Sequence, residues 1–382
     1  MFPIEKLKDL RTPFYFYDTE LLNRTLQAAL SEAVACGYHL HYAVKANANP
    51  RILAMIQAAG FGADCVSGGE IQAALDAGFS ADKVVFAGVG KADWEINLGL
   101  DHNIFCFNVE SIPELQVIDE LAAAKAQTAR VALRINPEVD AHTHAHITTG
   151  KKENKFGINL DRLDAVLDTL AGLKHVQLIG LHFHIGSQLL DLEPFQLLCD
   201  RAKTLQESLL KRGMRVEHLN FGGGLGIDYE QPDAHPIPDF KAYFKTFHDY
   251  FPVAPGQQVH FEPGRSIVGQ CGTLISKVLY VKEGSVKKFV VLDAGFTELL
   301  RPALYEASHL IENLTAPTHE KVTYDVVGPI CESSDCFAKD IQLPQTQRGD
   351  LVALRSAGAY GEIMASQYNC RQLPKSYFLD LL

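Results

Sequence analysis

Lys45 closes the run His39-Leu40-His41-Tyr42-Ala43-Val44, which reads as a buried strand. A lysine at the mouth of such a strand is costly if it points inward unpaired, because burial disfavours the ammonium. Either its stem snorkels to solvent, or its amine forms a Schiff base with a carbonyl compound, most often pyridoxal phosphate (PLP). Other stretches bear on the choice. Gly222-Gly223-Gly224 follows a strand-like run. It is either a tight turn or a cradle whose N–H groups approach phosphate oxygens. Gly264 with Arg265 adds a second anion-binding element. Glu262, just before them, can pair with a protonated pyridine nitrogen. His184 can stack on a flat ring or be a structural histidine, and Ser187 can donate to a phosphate.

These residues need a frame that gathers them. The aromatic run Phe14-Tyr15-Phe16-Tyr17 reads as a short strand, and Asp18 or Thr19 then caps a helix running to about Ala35. Strand-like runs follow at 38–44, 62–66, 83–87, 104–108, 130–135, 176–183, 216–221 and 257–261. Between them come amphipathic stretches at Pro50–Ala59, Gly69–Ala77, Ala92–Leu98, Pro113–Ala124, Leu160–Leu170, Leu192–Arg212 and Asp239–Tyr250. This α/β alternation calls for a parallel sheet, and eight units match a closed, TIM-like (β/α)8 barrel; a doubly wound open sheet is the alternative. Barrel chemistry collects at the C-terminal ends of strands. Here those ends are Lys45, the vicinity of Asp64, His182–Ser187, Gly222–Gly226 and Glu262–Arg265. The loops after strands seven and eight are a frequent phosphate site in barrels.

Beyond Gly264 the texture turns β-rich, at 273–281, 288–293, 321–327 and 351–354. A C-terminal, mostly antiparallel β domain is expected, which the N-terminal strand can join. The expected division is an N-terminal segment at 1–25 packing with the β domain, a barrel at 26–265 and the β domain at 266–382.

Composition narrows the function. With 47% hydrophobic and 21% charged residues, the chain of 382 is an ordinary globular protein of two domains or one enlarged barrel. A net charge of -11 argues against nucleic acid as partner. No apolar run approaches ~18 residues, so no membrane span is expected. The segment Met1–Leu10 has no signal-peptide pattern, and a cytoplasmic location is expected. The eight cysteines form no C-x-x-C pair, so free thiols are expected and no metal site.

Eight ordered motifs carry a resemblance that runs nearly end to end: Tyr42–Asn47, Asn154–Gly157, His182–Gln188, Gly222–Asp228, Glu262–Arg265, Arg301–Tyr305, Cys331–Asp335 and Gly358–Gly361. In these the chain resembles the fold-type-III, alanine-racemase-like PLP-dependent decarboxylases, most closely the branch acting on meso-diaminopimelate. The resemblance implies a PLP barrel plus β domain, and a head-to-tail homodimer with active sites at the subunit interface. It implies that Lys45 holds PLP, His184 stacks on the ring and Glu262 pairs with its nitrogen. Ser187, Gly222, Gly223, Gly224, Gly264 and Arg265 would surround the phosphate. Arg265, Arg301 and Tyr305 would grip the distal carboxylate of an amino-acid substrate, and Glu332 its distal ammonium. Tyr360 would lie near cofactor and substrate, and Cys331, from the partner subunit, would give a proton to the carbanion. The expected reaction yields L-lysine and CO2, the last step of lysine biosynthesis.

Taken alone, Arg301 reads as a surface charge, Cys331 as an inert thiol and Tyr360 as a packing tyrosine. The run His142, His144 and His146 is richer in histidine than the resemblance leads one to expect, and reads as an exposed loop. Cys336 is a second thiol that competes with Cys331 for the proton-donor role. The alternatives on the same fold are decarboxylases of arginine, ornithine or carboxynorspermidine, and a racemase. A non-catalytic PLP carrier and a Schiff-base aldolase without PLP are further alternatives. The Arg301–Tyr305 element opposes a distal cation; the extra β domain opposes the carrier; Glu262 and the anion cradles oppose the aldolase.

Overall fold

The computed structural model describes residues 2–139, 155–316 and 320–382. The histidines at 142, 144 and 146, and Asn154, lie outside these residues. The chain divides into two compact units, one of residues 26–226 and 239–264, the other of residues 1–25, 227–238 and 265–382.

The first unit is a closed parallel barrel of Tyr38–Ala43, Gly62–Cys65, Val84–Phe86, Cys106–Val109, Ala129–Arg134, Val176–His182, His218–Asn220 and Gln258–Phe261. Every expected strand is present, and the open-sheet alternative fails because the last strand pairs with the first, Tyr38 opposite Val259 and Leu40 opposite Phe261. The first strand stops two residues short of Lys45, which sits in one turn of 3-10 helix, Val44–Ala46. The helices Pro50–Ala58, Gly68–Asp76, Ile112–Ala124 and Phe240–Tyr250 begin on side-chain caps from Asn49, Ser67, Ser111 and Asp239. Each cap is worth ~1 kcal/mol and fixes where the preceding loop must end. Helices Glu193–Lys211 and Phe240–Tyr250 bury an aromatic layer against the eighth strand, with Phe247 and Phe261 edge to face at 4.7 Å.

Histidines inside this apolar barrel are satisfied by one another. His41 Nδ1 donates to the Lys83 carbonyl at 3.0 Å, His260 Nδ1 to His41 Nε2 at 3.0 Å, and His218 Nδ1 to His260 Nε2 at 3.0 Å. A carbonyl only accepts, so the direction of the whole chain is set. Burial drives the His41 imidazole down to about 4, which keeps it neutral.

The second unit is an eight-stranded sheet. Its main order is Ile311–Asn313, Leu351–Leu354, Gly272–Glu283, Lys288–Leu292, Lys321–Val327, Cys336–Pro344. The strand Phe14–Tyr17 pairs antiparallel with Gly272–Glu283, Phe14 opposite Ile275, and parallel with Lys375–Phe378. The remaining parallel pair is Lys288–Leu292 with Lys321–Val327; the other pairings are antiparallel. Leu7, Phe14, Phe16, Ile275 and Leu351 form its core. Residues 227–238, expected within the barrel, belong to this unit: Arg355 pairs with Asp233 at 2.6 Å, and Gln270 donates to the His235 carbonyl at 2.7 Å.

All eight cysteines are free thiols. Among the described residues, no helix is long and apolar enough to cross a membrane, and no cluster of His, Cys, Asp and Glu fits a metal ion.

Candidate active site

In the barrel, the turn Val44–Ala46 carries Lys45 off the end of the first strand. Its Nζ lies 3.1 Å from Asp64 Oδ2, with Lys45 partly exposed and Asp64 fully buried. Asp64 lies on the second strand, Gly62–Cys65, and feels the charges of Glu262, Lys45 and His182, so its side chain points into the barrel. The loop that ends the eighth strand abuts this turn. Ala43 N–H donates to the Pro263 carbonyl at 3.2 Å, and a Cβ on Gly264 would stand 3.0 Å from that of Ala43 and 3.2 Å from that of Ala46. A side chain at 264 would push the two segments apart by a few tenths of an ångström.

Glu262 leads that loop and is buried. One carboxylate oxygen accepts from His182 Nε2 at 2.9 Å; the other accepts from Asn220 at 2.6 Å and more weakly from Asn108 at 3.4 Å. Burial alone would raise the Glu262 carboxyl, but His182, with its hydrogen bond, and Lys45 outweigh it and hold the group below the usual carboxylate range. Asp64 goes the other way: burial first, then the Glu262 charge, push its carboxyl up to about 6 against the pull of Lys45. Two atoms here lack a hydrogen-bond partner among the described residues, Asp64 Oδ1 and His182 Nδ1. A carboxylate can only accept, so the 2.9 Å contact places a His182 proton on Nε2, facing Glu262.

The glycine run is more than a turn. A Cβ at Gly222 would collide with the Phe183 carbonyl, one at Gly223 with the Glu262 carbonyl, and one at Gly224 would sit 2.8 Å from the Gly186 carbonyl. Gly224 also has φ +114°, which side-chain-bearing residues rarely adopt. Leu189 N–H donates to the Gly224 carbonyl at 2.9 Å, tying the loop of half-buried Ser187 to the glycines. His184 contacts the same run, its Nδ1 accepting from Gly223 N–H at 3.4 Å. Burial, then Arg134, keep this imidazole far below its usual range and so neutral. A backbone-lined cradle, a neutral flat ring, a buried carboxylate and a lysine fit PLP: phosphate, ring face, ring nitrogen and carbonyl carbon each have a matching group.

Arg134 and Glu110 carry no signal in the sequence beyond being polar. Arg134 Nη1 pairs with Glu110 Oε1 at 2.9 Å and lies 5.0 Å over the Phe156 ring, while Glu110 Oε2 accepts from Gly157 N–H at 2.8 Å. The Phe156-Gly157 segment is thereby fixed to the barrel.

In the second unit, Arg265 and Arg301 are buried, so Arg301 is not a surface charge. Arg265 Nη1 donates to the Tyr229 hydroxyl at 2.6 Å, and its guanidinium lies 4.9 Å over the Tyr360 ring. Tyr360 is held at φ +56°, a conformation that side-chain-bearing residues rarely adopt. Arg301 opens the short helix Arg301–Tyr305, lies 4.8 Å over the other part of Tyr229, its ring, and donates to His309 Nε2 at 2.8 Å. Tyr305, half-buried at the far end of that helix, joins Tyr229 and Tyr360 in favouring the charged guanidinium of Arg265 against burial. Tyr229 and His309 escaped the sequence reading, because neither lies in a motif with a chemical signature.

Cys331 and Glu332 are exposed. Glu332 accepts from the Tyr368 hydroxyl at 2.8 Å rather than meeting either arginine. Asp335 fixes their loop by accepting from Phe296 N–H and Ile330 N–H, each at 2.7 Å. Cys336 is different: it is half-buried in the strand Cys336–Pro344, its thiol donates to the Ala338 carbonyl at 3.5 Å, and burial raises its pKa.

Residues 20–269 match the family model described as pyridoxal-dependent decarboxylase, pyridoxal binding domain. A protein of Bacteroides thetaiotaomicron named diaminopimelate decarboxylase is 62% identical over 383 aligned positions, covering 100% of this chain and 99% of that protein. One of the same name from Aquifex aeolicus is 39% identical, covering 94% of this chain and 84% of that one. The crystal structure of diaminopimelate decarboxylase from Helicobacter pylori complexed with L-lysine superposes with a TM-score of 0.92 at 40% identity, covering 98% of this chain and 93% of that one.

Proposed function

Because the chain belongs to the pyridoxal-dependent decarboxylase family, and within it to the diaminopimelate decarboxylases, we propose how its residues divide the work on this substrate. The chain is a decarboxylase that converts meso-diaminopimelate to L-lysine and CO2, the last step of lysine biosynthesis. PLP, when bound, supplies an electron sink for the electron pair left as CO2 departs.

Lys45 is the attachment point for the cofactor, and Asp64 holds its amine in place. Glu262, kept ionised by His182 and Asn220, favours a proton on the ring nitrogen. His184 supplies a flat neutral face. Gly222, Gly223, Gly224, Gly264 and Ser187 surround the phosphate, joined by the positive charge of Arg265. Arg265, Arg301 and Tyr305 take the carboxylate at the end of the substrate that does not react, and Glu332 takes the ammonium there. Tyr360 contacts cofactor and substrate. Cys331 delivers the proton to the substrate carbon, reaching it from the partner subunit of a homodimer. The exposure of Cys331 and Glu332 on a single chain supports this arrangement. A cytoplasmic location belongs to the same reading and is supported by eight free thiols.

The observation that carries the substrate assignment is the burial of Arg301 with no carboxylate at ion-pair distance among the described residues. A buried, undischarged guanidinium favours an anion and penalises the distal cation of arginine, ornithine or carboxynorspermidine. The test is a product assay. PLP-loaded protein is given each of these compounds and meso-diaminopimelate separately, with products identified by mass spectrometry. Lysine from diaminopimelate alone is the expected result; turnover of a diamine precursor instead overturns the substrate pocket.

A further inference from the structure

We propose that His309 is a positioning residue for substrate recognition: as a neutral acceptor, it aims the Arg301 guanidinium without discharging it. This rests on the assignment of Arg301 to the distal carboxylate. A guanidinium can only donate, so the 2.8 Å contact requires a bare His309 Nε2 and a proton on Nδ1. That proton has its own acceptor, the Arg355 carbonyl, at 2.8 Å. The carbonyl is held firmly, since Arg355 N–H donates to the Leu310 carbonyl at 2.9 Å and its guanidinium pairs with Asp233 and Glu312, each at 2.6 Å. The tautomer is thus set from behind.

Tyr229 completes the seat. Its ring lies beneath Arg301 at 4.8 Å and meets the His309 ring edge to face, at 5.3 Å and 87°. Arg301 is therefore fixed on two sides by groups without formal charge. Proteins usually hold a buried arginine with a carboxylate, which cancels its charge. Here the charge is left for an incoming anion, and the remaining N–H groups are pre-aimed. Burial and the charge of Arg301 hold the His309 imidazole down to about 3, so the acceptor is present at neutral pH.

The test uses the full-length, PLP-loaded protein with kcat and KM for meso-diaminopimelate, cofactor absorbance and melting temperature. His309→Phe removes the acceptor and should raise KM roughly tenfold or more, with kcat changed far less. His309→Gln puts an amide oxygen where Nε2 was and should recover most of the loss. His309→Asp keeps an acceptor but adds a charge, and should raise KM at least as much as the phenylalanine. A wild-type KM in His309→Asp overturns the proposal whatever becomes of the phenylalanine variant. Arg301→Met separates the two levels. If it too leaves KM unchanged, the distal-carboxylate assignment falls and takes the proposal with it. If it raises KM while His309→Asp does not, only the role of His309 fails.

Discussion

Asp64 and Glu262, on the second strand and just past the eighth, are two buried carboxyls of one barrel whose acidities are driven apart. The difference comes from their donors. Glu262 receives His182, Asn220 and Asn108, whereas among the described residues Asp64 has Lys45 alone and one oxygen without a partner. The site therefore keeps its charge where a ring nitrogen is expected and tolerates a neutral acid beside the lysine.

Asp64→Asn should stabilise the PLP-free protein at pH 8. Asp64 rises from 3.8 to about 6 on folding, so between these values the folded chain holds a proton that the unfolded chain has lost. Its favourable contribution is full below about 4 and is lost as pH rises through about 6, at a cost of ~2–3 kcal/mol above that. Melting curves from pH 4.5 to 8 should show the gap between variant and wild type widening with pH. A gap that is constant or reversed would mean that the Lys45 contact outweighs burial.

Lys45→Ala should abolish the absorbance of lysine-linked PLP and the borohydride-reducible bond to the chain. A reducible link retained at another lysine would remove Lys45 from its assigned role.

Glu262→Gln should leave PLP bound but lower kcat by roughly a hundredfold or more, because the developing negative charge loses its protonated acceptor. Saturation kinetics on the loaded variant read this directly. An unchanged kcat would separate Glu262 from the ring nitrogen.

Gly224→Ala should cost ~1–3 kcal/mol of stability, from its positive φ and the approach to the Gly186 carbonyl. It should also weaken PLP binding, measured by fluorescence titration. Lost stability with PLP affinity intact would leave the glycines a purely structural turn.

Cys331→Ala should lower kcat strongly, while Cys336→Ala, removing a half-buried thiol already bonded to Ala338, should stay near wild type. Mixing inactive Lys45→Ala with inactive Cys331→Ala should restore part of the activity if each site draws its cysteine from the other chain. No restoration after verified subunit exchange would rule out the shared site.

The barrel was legible because each strand is a short apolar run between loops and amphipathic stretches. The second unit was harder. Ile311–Asn313 is only three residues long, and Lys375–Phe378 pairs, among the described residues, only with Phe14–Tyr17 at the opposite end of the chain. Cys336–Pro344 was hidden because Asp340, at φ +53°, breaks its alternation. In the site, Lys45, the glycines and Glu262 could be found because strand ends mark a barrel mouth. Asp64 is marked in the sequence only as a strand end, and Asn108, Asn220, Tyr229 and His309 carry no mark at all. Asn108, Asn220 and Tyr229 gain their roles from neighbours distant in sequence, such as Asn108 at 3.4 Å from Glu262, and His309 from Arg301 eight residues before it, across the end of a short helix.

The chain passes between its two units four times, after residues 25, 226, 238 and 264. Tyr229 thus lies on a short insert, while the arginines it touches are encoded downstream of the last barrel strand. No single crossover in the coding sequence can transfer either unit whole. The barrel with its lysine and the sheet with its arginines must be inherited together, and a chimera that swaps the C-terminal half alone would separate Arg301 from its own Tyr229.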